Sequence, residues 1–246
     1  LGRGLADRVG AGEPAEVAAE AVLAARLRAH RVQAGDEERE PRGRGVGQAL
    51  KWQQRDWCLK RDLAWVTWTF DPLQARNANL NLRHLGAICV DYLVDFYGPM
   101  GGPLGGARSD RFLALWVLTA PSVVAIANGG AGGRPTPGAA TVEPTATRGS
   151  AVWAVRPPID GGGAEPVVEL AGPGLMSVAE AGARVMVAAP PTDRDADPAR
   201  ARRWQDAFAQ TIVPLFEAGY VAVDLLEGAY VLEPPGGGFK AKLDNL

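Results

Sequence analysis

Cysteine, histidine and methionine are scarce in this 246-residue chain, which holds two, two and three of them. Cys58 and Cys89 are too few for a disulfide framework and suit a reducing cytoplasm. His30 and His84 have no second set of ligands nearby, so no metal site is expected. No apolar run reaches the roughly 18 residues of a membrane span, and no basic-then-apolar leader opens the chain. A Gly-x-Ser-x-Gly nucleophile elbow is missing too. Basic and acidic residues, 26 and 28 of them, are interspersed without the clustered positive surface that nucleic acid or an anionic membrane requires. These absences make a cytoplasmic protein the expectation.

Glycine (31) and proline (19) are plentiful, and they are unevenly placed. Residues 119–165 contain ANGGAGGRPTPGAATVEPTATRG and RPPIDGGG, which bury too little apolar surface to offset ordering. That span is expected to be an insertion or linker. Residues 1–40 have no aromatic side chain. Glu13 to about Ala34 reads as one helix with an imperfect stripe of Ala18, Val22, Ala25 and Leu27. The resulting organisation is an atypical helical segment (1–40), a core (41–118), the insertion (119–165) and a C-terminal α/β part (166–246). No internal repeat is evident.

Periodicity places the elements. From Gly47 to about Arg61 the pattern is helical, with Val46, Ala49, Leu50 and Trp57 near one face. WVTWTF (65–70) is a strand of aromatic and β-branched residues. Asp71-Pro72-Leu73-Gln74 then reads as N-cap, first position and capping-box partner of a helix over 72–85. Ala75, Ala78, Leu82 and Leu85 form its apolar face, and Gly86 its left-handed stop. Strands follow at 87–97 and 111–118, the second apolar on both faces and therefore central. Later come a strand at 183–189, a helix from Asp197-Pro198 to about Ala218, and a hairpin (220–226, 229–234) about Glu227-Gly228. The fold class is α/β, with α+β layering of a mixed sheet and flanking helices.

One stretch carries chemistry. In PRGRGVGQAL (41–50) three glycines alternate with Arg42, Arg44 and Val46 just before a helix. Backbone amides in such a loop, together with the first helical turn, can face one anion such as a pyrophosphate. The same spacing is also that of an ordinary glycine-rich turn. It is neither a Walker loop nor a Gly-x-Gly-x-x-Gly dinucleotide loop.

Arg42-Gly43-Arg44-Gly45-Val46-Gly47 resembles the Arg/Gln-x-x-Gly-x-Gly/Ala motif of the GNAT acyltransferase superfamily. WTFDPLQARNANLNLRHLGA (68–87), YLVDFYG (92–98) and SDRFLALW (109–116) resemble a branch of predicted GNAT proteins associated with N-succinylamino acid metabolism. Residues 204–234 resemble that branch's tail more loosely. The resemblance implies an N-acyltransferase moving an acetyl or succinyl group from acyl-CoA to a small amine or amino acid. It implies cofactor contacts from Arg42, Gly43, Arg44, Gly45, Val46, Gly47 and Asn77, with strand 65–70 beside the pantetheine arm. Arg76 and Arg111 would clamp a carboxylate, since a guanidinium matches one bidentately.

Many GNAT proteins carry a tyrosine acid on the helix that here holds Leu82, so Tyr92 or Tyr97 is left for that role. Tyr97, Asp71 and Asp110 are the catalytic candidates. Asp71 also reads as a helix cap, and Asp110 with Arg111 as a structural ion pair.

The resemblance also implies strands before the glycine loop, at a cost of roughly 70 residues by ordinary element lengths. GDEERE (35–40) lacks the alternation of a strand. The front of the fold is therefore expected to be missing or altered, as a reading frame shifted upstream of about Pro41 would produce. That exposes a sheet edge and favours a homo-oligomer. It also keeps open a non-catalytic CoA-binding or degenerate protein lacking half of the cofactor cleft.

Overall fold

The computed structural model describes residues 46–98, 108–129, 151–156, 165–190 and 197–234. The expected helix at 13–34 and the loop residues Arg42, Gly43, Arg44 and Gly45 lie outside them. The chain is a mixed α/β protein, and among the described residues it forms one eight-stranded sheet with helices layered on it. In chain order the elements are α1 (Val46–Leu59), β1 (Trp65–Phe70), α2 (Ala75–Ala78) continuing as a π-helical turn (Asn79–His84), and β2 (Ile88–Leu93). Then come β3 (Arg111–Val117), α3 (Pro121–Gly129), β4 (Val152–Arg156), β5 (Val167–Val168) and α4 (Gly172–Glu180). β6 (Val185–Ala188), α5 (Pro198–Glu217), β7 (Val221–Leu226) and β8 (Ala229–Glu233) complete the described elements. The strand order is β1-β3-β2-β7-β8-β6-β4-β5, antiparallel throughout except for the parallel pair β4 and β6.

Local chemistry explains the elements that were legible. α5 opens on Asp197, whose carboxylate accepts the Ala199 amide at 2.9 Å, with Pro198 in the first helical position. Its Trp204, Phe208, Ile212 and Leu215 are buried on the sheet. Gly219 ends it at φ +85°. The β7–β8 turn has positive φ at both Glu227 and Gly228, the backbone of a two-residue hairpin whose twist suits the strands. β3 lies between β1 and β2 and buries Phe112 to Trp116 on both faces. Phe112 meets Phe70, Tyr92, Phe216 and Tyr230, with ring centroids 5.1–6.0 Å apart. Helical layers cover this face of the sheet. On the other face Ile88, Val90, Leu113, Leu115, Val223 and Val231 form a second cluster drawn, among the described residues, from strands alone.

Four expectations change. Asp71 does not cap a helix at 72; its carboxylate accepts the Leu73 amide at 3.0 Å in a local turn, and the helix starts only at Ala75. The apolar face of α1 is not the Val46–Leu50–Trp57 side, because these three are exposed. α1 seats Cys58 and Trp52 instead, since Trp52 stacks edge-on to Trp116 at 5.5 Å and Arg55 Nε donates to the Leu118 carbonyl at 2.9 Å. β2 stops at Leu93, before a turn with Asp95 at φ +48°. The 119–165 span holds α3 and β4, with Val123, Ile126, Ala154 and Val155 buried. Its average composition conceals the short apolar runs SVVAI and VWAV.

Gly86 meets two demands at once. Its φ is +72°, and a Cβ there lies 2.9 Å from Ile126 Cδ1 and 3.3 Å from Val123 Cγ2. Gly86→Ala is therefore expected to cost about 1–3 kcal/mol, from left-handed strain and a crowded α3 contact. The urea midpoint checks it, and an unchanged midpoint contradicts the packing described.

Candidate functional site

The carboxyl end of β1, the carboxyl end of β2 and the amino end of β3 lie side by side, because Phe70 pairs with Phe112 and Phe112 with Tyr92. The polar residues at these strand ends are thereby gathered at one end of the sheet. Asp71, Tyr92, Asp95, Tyr97, Asp110 and Arg111 all come from these strand ends.

The inner part is a closed network. Asp110 is fully buried and accepts from Tyr92 Oη at 2.7 Å, the Asp95 amide at 2.9 Å and Arg108 Nη2 at 3.1 Å. Arg108 also reaches Asp206 on α5 at 2.5 Å. Gln205 holds the Arg108 backbone from both sides, accepting its amide at 3.1 Å and donating to its carbonyl at 2.6 Å. Asp95 Oδ1 accepts from both the amide and the hydroxyl of Ser109, and Ser109 Oγ accepts the Tyr97 amide. Burial opposes the charge on Arg108, but hydrogen bonds to Asp110 and Asp206 outweigh it and raise its pKa. Burial, together with the Asp110 charge and hydrogen bond, pushes the Tyr92 phenol well up. The expected Asp110–Arg111 ion pair is instead Asp110–Arg108; Arg111 Nη1 donates to the Asp110 backbone carbonyl at 2.8 Å.

The outer part faces solvent. Tyr97 is 40% exposed, its hydroxyl lies 3.2 Å from Thr69 Oγ1, and the Arg111 guanidinium sits 5.1 Å from its ring centroid. Thr69 and Arg111 alternate with Trp68 and Phe112 along their strands and so belong to the face opposite the helices. Arg76 is exposed on α2, and Asn77 accepts from Asn81 at 3.2 Å, so neither joins this patch. Asp71 is buried in its turn, and the Tyr230 hydroxyl donates to the neighbouring Pro72 carbonyl at 2.5 Å.

Searches of protein-family models, curated proteins and solved structures find no match to this chain.

Of the other expected contact region, Arg42 to Gly47, the described part starts at Val46, the first residue of α1. Gly47 is exposed there; a Cβ on it meets only Leu80 Cδ2, at 4.0 Å, and its φ is not positive. Neither backbone nor packing requires a glycine at this position. One turn on, Lys51 Nζ rests 3.8 Å from the Trp68 ring centroid, and burial lowers its pKa. Sequence reasoning missed Lys51, Arg108 and Gln205. Lys51 and Gln205 lie inside helices and Arg108 in a connection, and none of these settings signals a long-range partner until the fold joins them.

Proposed function

We propose that the chain binds an acyl-coenzyme A and transfers its acetyl or succinyl group to the amine of a small molecule such as an amino acid. The observation that supports this most is the relation of two regions about β1. α1 begins on the helix-bearing face of β1, and the Thr69–Tyr97–Arg111 patch lies on the other face. β1 is an edge strand of the sheet among the described residues. An extended ligand with a pyrophosphate at one end and a thioester at the other can reach both regions by crossing that edge. In this reading the backbone amides from Gly43 to Gly47 hold the pyrophosphate.

The amine nitrogen then attacks the thioester carbonyl, the C–N bond forms, and the C–S bond breaks as the oxyanion collapses. The Tyr97 hydroxyl gives its proton to the departing thiolate, and the amine's proton passes to solvent. Arg111 pairs with a carboxylate of the acceptor or of the succinyl group. Tyr92 and Asp110 keep the strand ends in place and do not react.

A second reading, a non-catalytic CoA-binding protein, draws support from the state of the two candidate carboxylates. Asp71 and Asp110 are both buried and hydrogen-bonded within the fold, so neither is placed to take the amine proton.

Calorimetric titration of the folded chain with succinyl-CoA and acetyl-CoA is expected to show saturable binding. With an amino acid present, thiol release is expected, and Tyr97→Phe should slow it about 100-fold while leaving binding intact. Binding without thiol release from any amine selects the second reading. A folded chain that binds neither thioester overturns both.

A further inference from the structure

We propose that the chain is a duplication: residues 46–117 and 172–233 are two copies of one unit, joined as a pseudo-dimer about a two-fold axis between Cys89 and Ala222. Each unit runs helix, strand, helix, strand, strand: α1, β1, α2 with its π turn, β2, β3, and then α4, β6, α5, β7, β8. Within each unit the strand order is first, third, second, with both neighbours antiparallel. Exchanging the units turns β1-β3-β2-β7-β8-β6 into itself read backwards, as a two-fold axis through the β2–β7 junction requires.

The residues follow the same operation. LRHLGAICVDYL (82–93) lies over LFEAGYVAVDLL (215–226) at one constant offset. Leu82 and Leu215 are both fully buried in the same core, and Gly86 and Gly219 both end helices in the left-handed region. β2 slips its register against β3 between Cys89 and Asp91, and β7 slips against β8 between Ala222 and Asp224. In both cases the aspartate accepts the next residue's amide, Tyr92 at 2.9 Å and Leu225 at 2.8 Å. A bulge of this kind is a local choice that unrelated strands do not share by default. The decisive register is the junction itself, where Cys89 pairs with Ala222, its own equivalent. The packing is reciprocal as well, with α5 against β2 and the π turn against β7.

The copies have diverged in what they carry. The first joins its last two strands through residues 94–110, which bear Asp95, Tyr97, Arg108 and Asp110; the second uses the turn Glu227-Gly228. Tyr92 corresponds to Leu225. The second copy supplies Gln205, Asp206 and Tyr230, which hold Arg108 and Pro72 of the first. The candidate site therefore occurs once among the described residues, and the second copy serves as its built-in partner subunit.

The axis puts positions 89 and 222 directly opposite each other across antiparallel strands, a spacing that a disulfide spans. In the full chain carrying Ala222→Cys, mild oxidation is expected to consume two of the three thiols in an intramolecular 89–222 link, leaving Cys58 free by peptide mapping. A folded, oxidised variant that keeps three thiols or links Cys58 overturns the axis. A crystal structure of the unaltered chain provides the second arm. Superposing 82–93 with its flanking strands on 215–226 should need a rotation close to 180° that sets Asp91 on Asp224. A rotation far from 180° overturns the duplication even if the variant fails to fold.

Discussion

Asp110→Ala is expected to lower stability by about 3 kcal/mol, the low end of the range for breaking a buried ion pair. The substitution strands three donors at once: the Tyr92 hydroxyl, the Asp95 amide and the Arg108 guanidinium. The loss stays near the low end because Arg108 keeps Asp206 and its side chain is 20% exposed. Urea unfolding should show a lower midpoint with an unchanged slope. Asp110→Asn separates the structural role from a catalytic one. It retains one acceptor oxygen but turns the other into an amide donor and removes the charge facing Arg108, so its midpoint should fall between those of the parent and the alanine variant. A parent-like midpoint combined with lost thiol release would instead make Asp110 the base of the reaction.

Trp116→Ala is expected to be the most damaging single truncation, at about 3–5 kcal/mol. Trp116 is fully buried, meets Trp52 and Trp68 edge-on at 5.5 and 6.1 Å, and donates from Nε1 to the Leu85 carbonyl at 2.8 Å. Alanine therefore opens a cavity where α1, β1 and the end of the π turn converge. It also leaves the last carbonyl before Gly86 without its side-chain donor. Trp116→Phe keeps most of the volume and loses the hydrogen bond, so it should cost about 1–2 kcal/mol. Thermal and urea unfolding measure both. Near-equal losses would mean that the hydrogen bond outweighs the packing, contrary to the geometry.

α1 shows where reading the sequence stopped. Periodicity supports a helix over these residues with apolar groups on two sides, and only Trp116 and the Leu118 carbonyl decide which side docks. Asp71 shows the same limit over a shorter range. An aspartate before a proline suits a helix cap or an Asx turn equally well, and the choice follows from where Tyr230 holds the Pro72 carbonyl. In the candidate site, Tyr97 and Arg111 were nameable in advance because they lie in the segments that carry the family resemblance. Arg108 and Gln205 were not, since their bonds span nearly a hundred residues of chain.

What the sequence by itself determined are the features whose causes are local. The Asp197-Pro198 start of α5, the stops at Gly86 and Gly219, the Glu227-Gly228 hairpin and the β1 strand each depend on neighbouring residues alone. Tertiary structure alone decided the joining of β2 to β7, the pairing of Asp110 with Arg108 and the separation of the α1 start from the Tyr97–Arg111 patch by the edge of β1. Strand order and ion-pair choice depend on which distant groups arrive together, and no single window of sequence contains both members of such a pair.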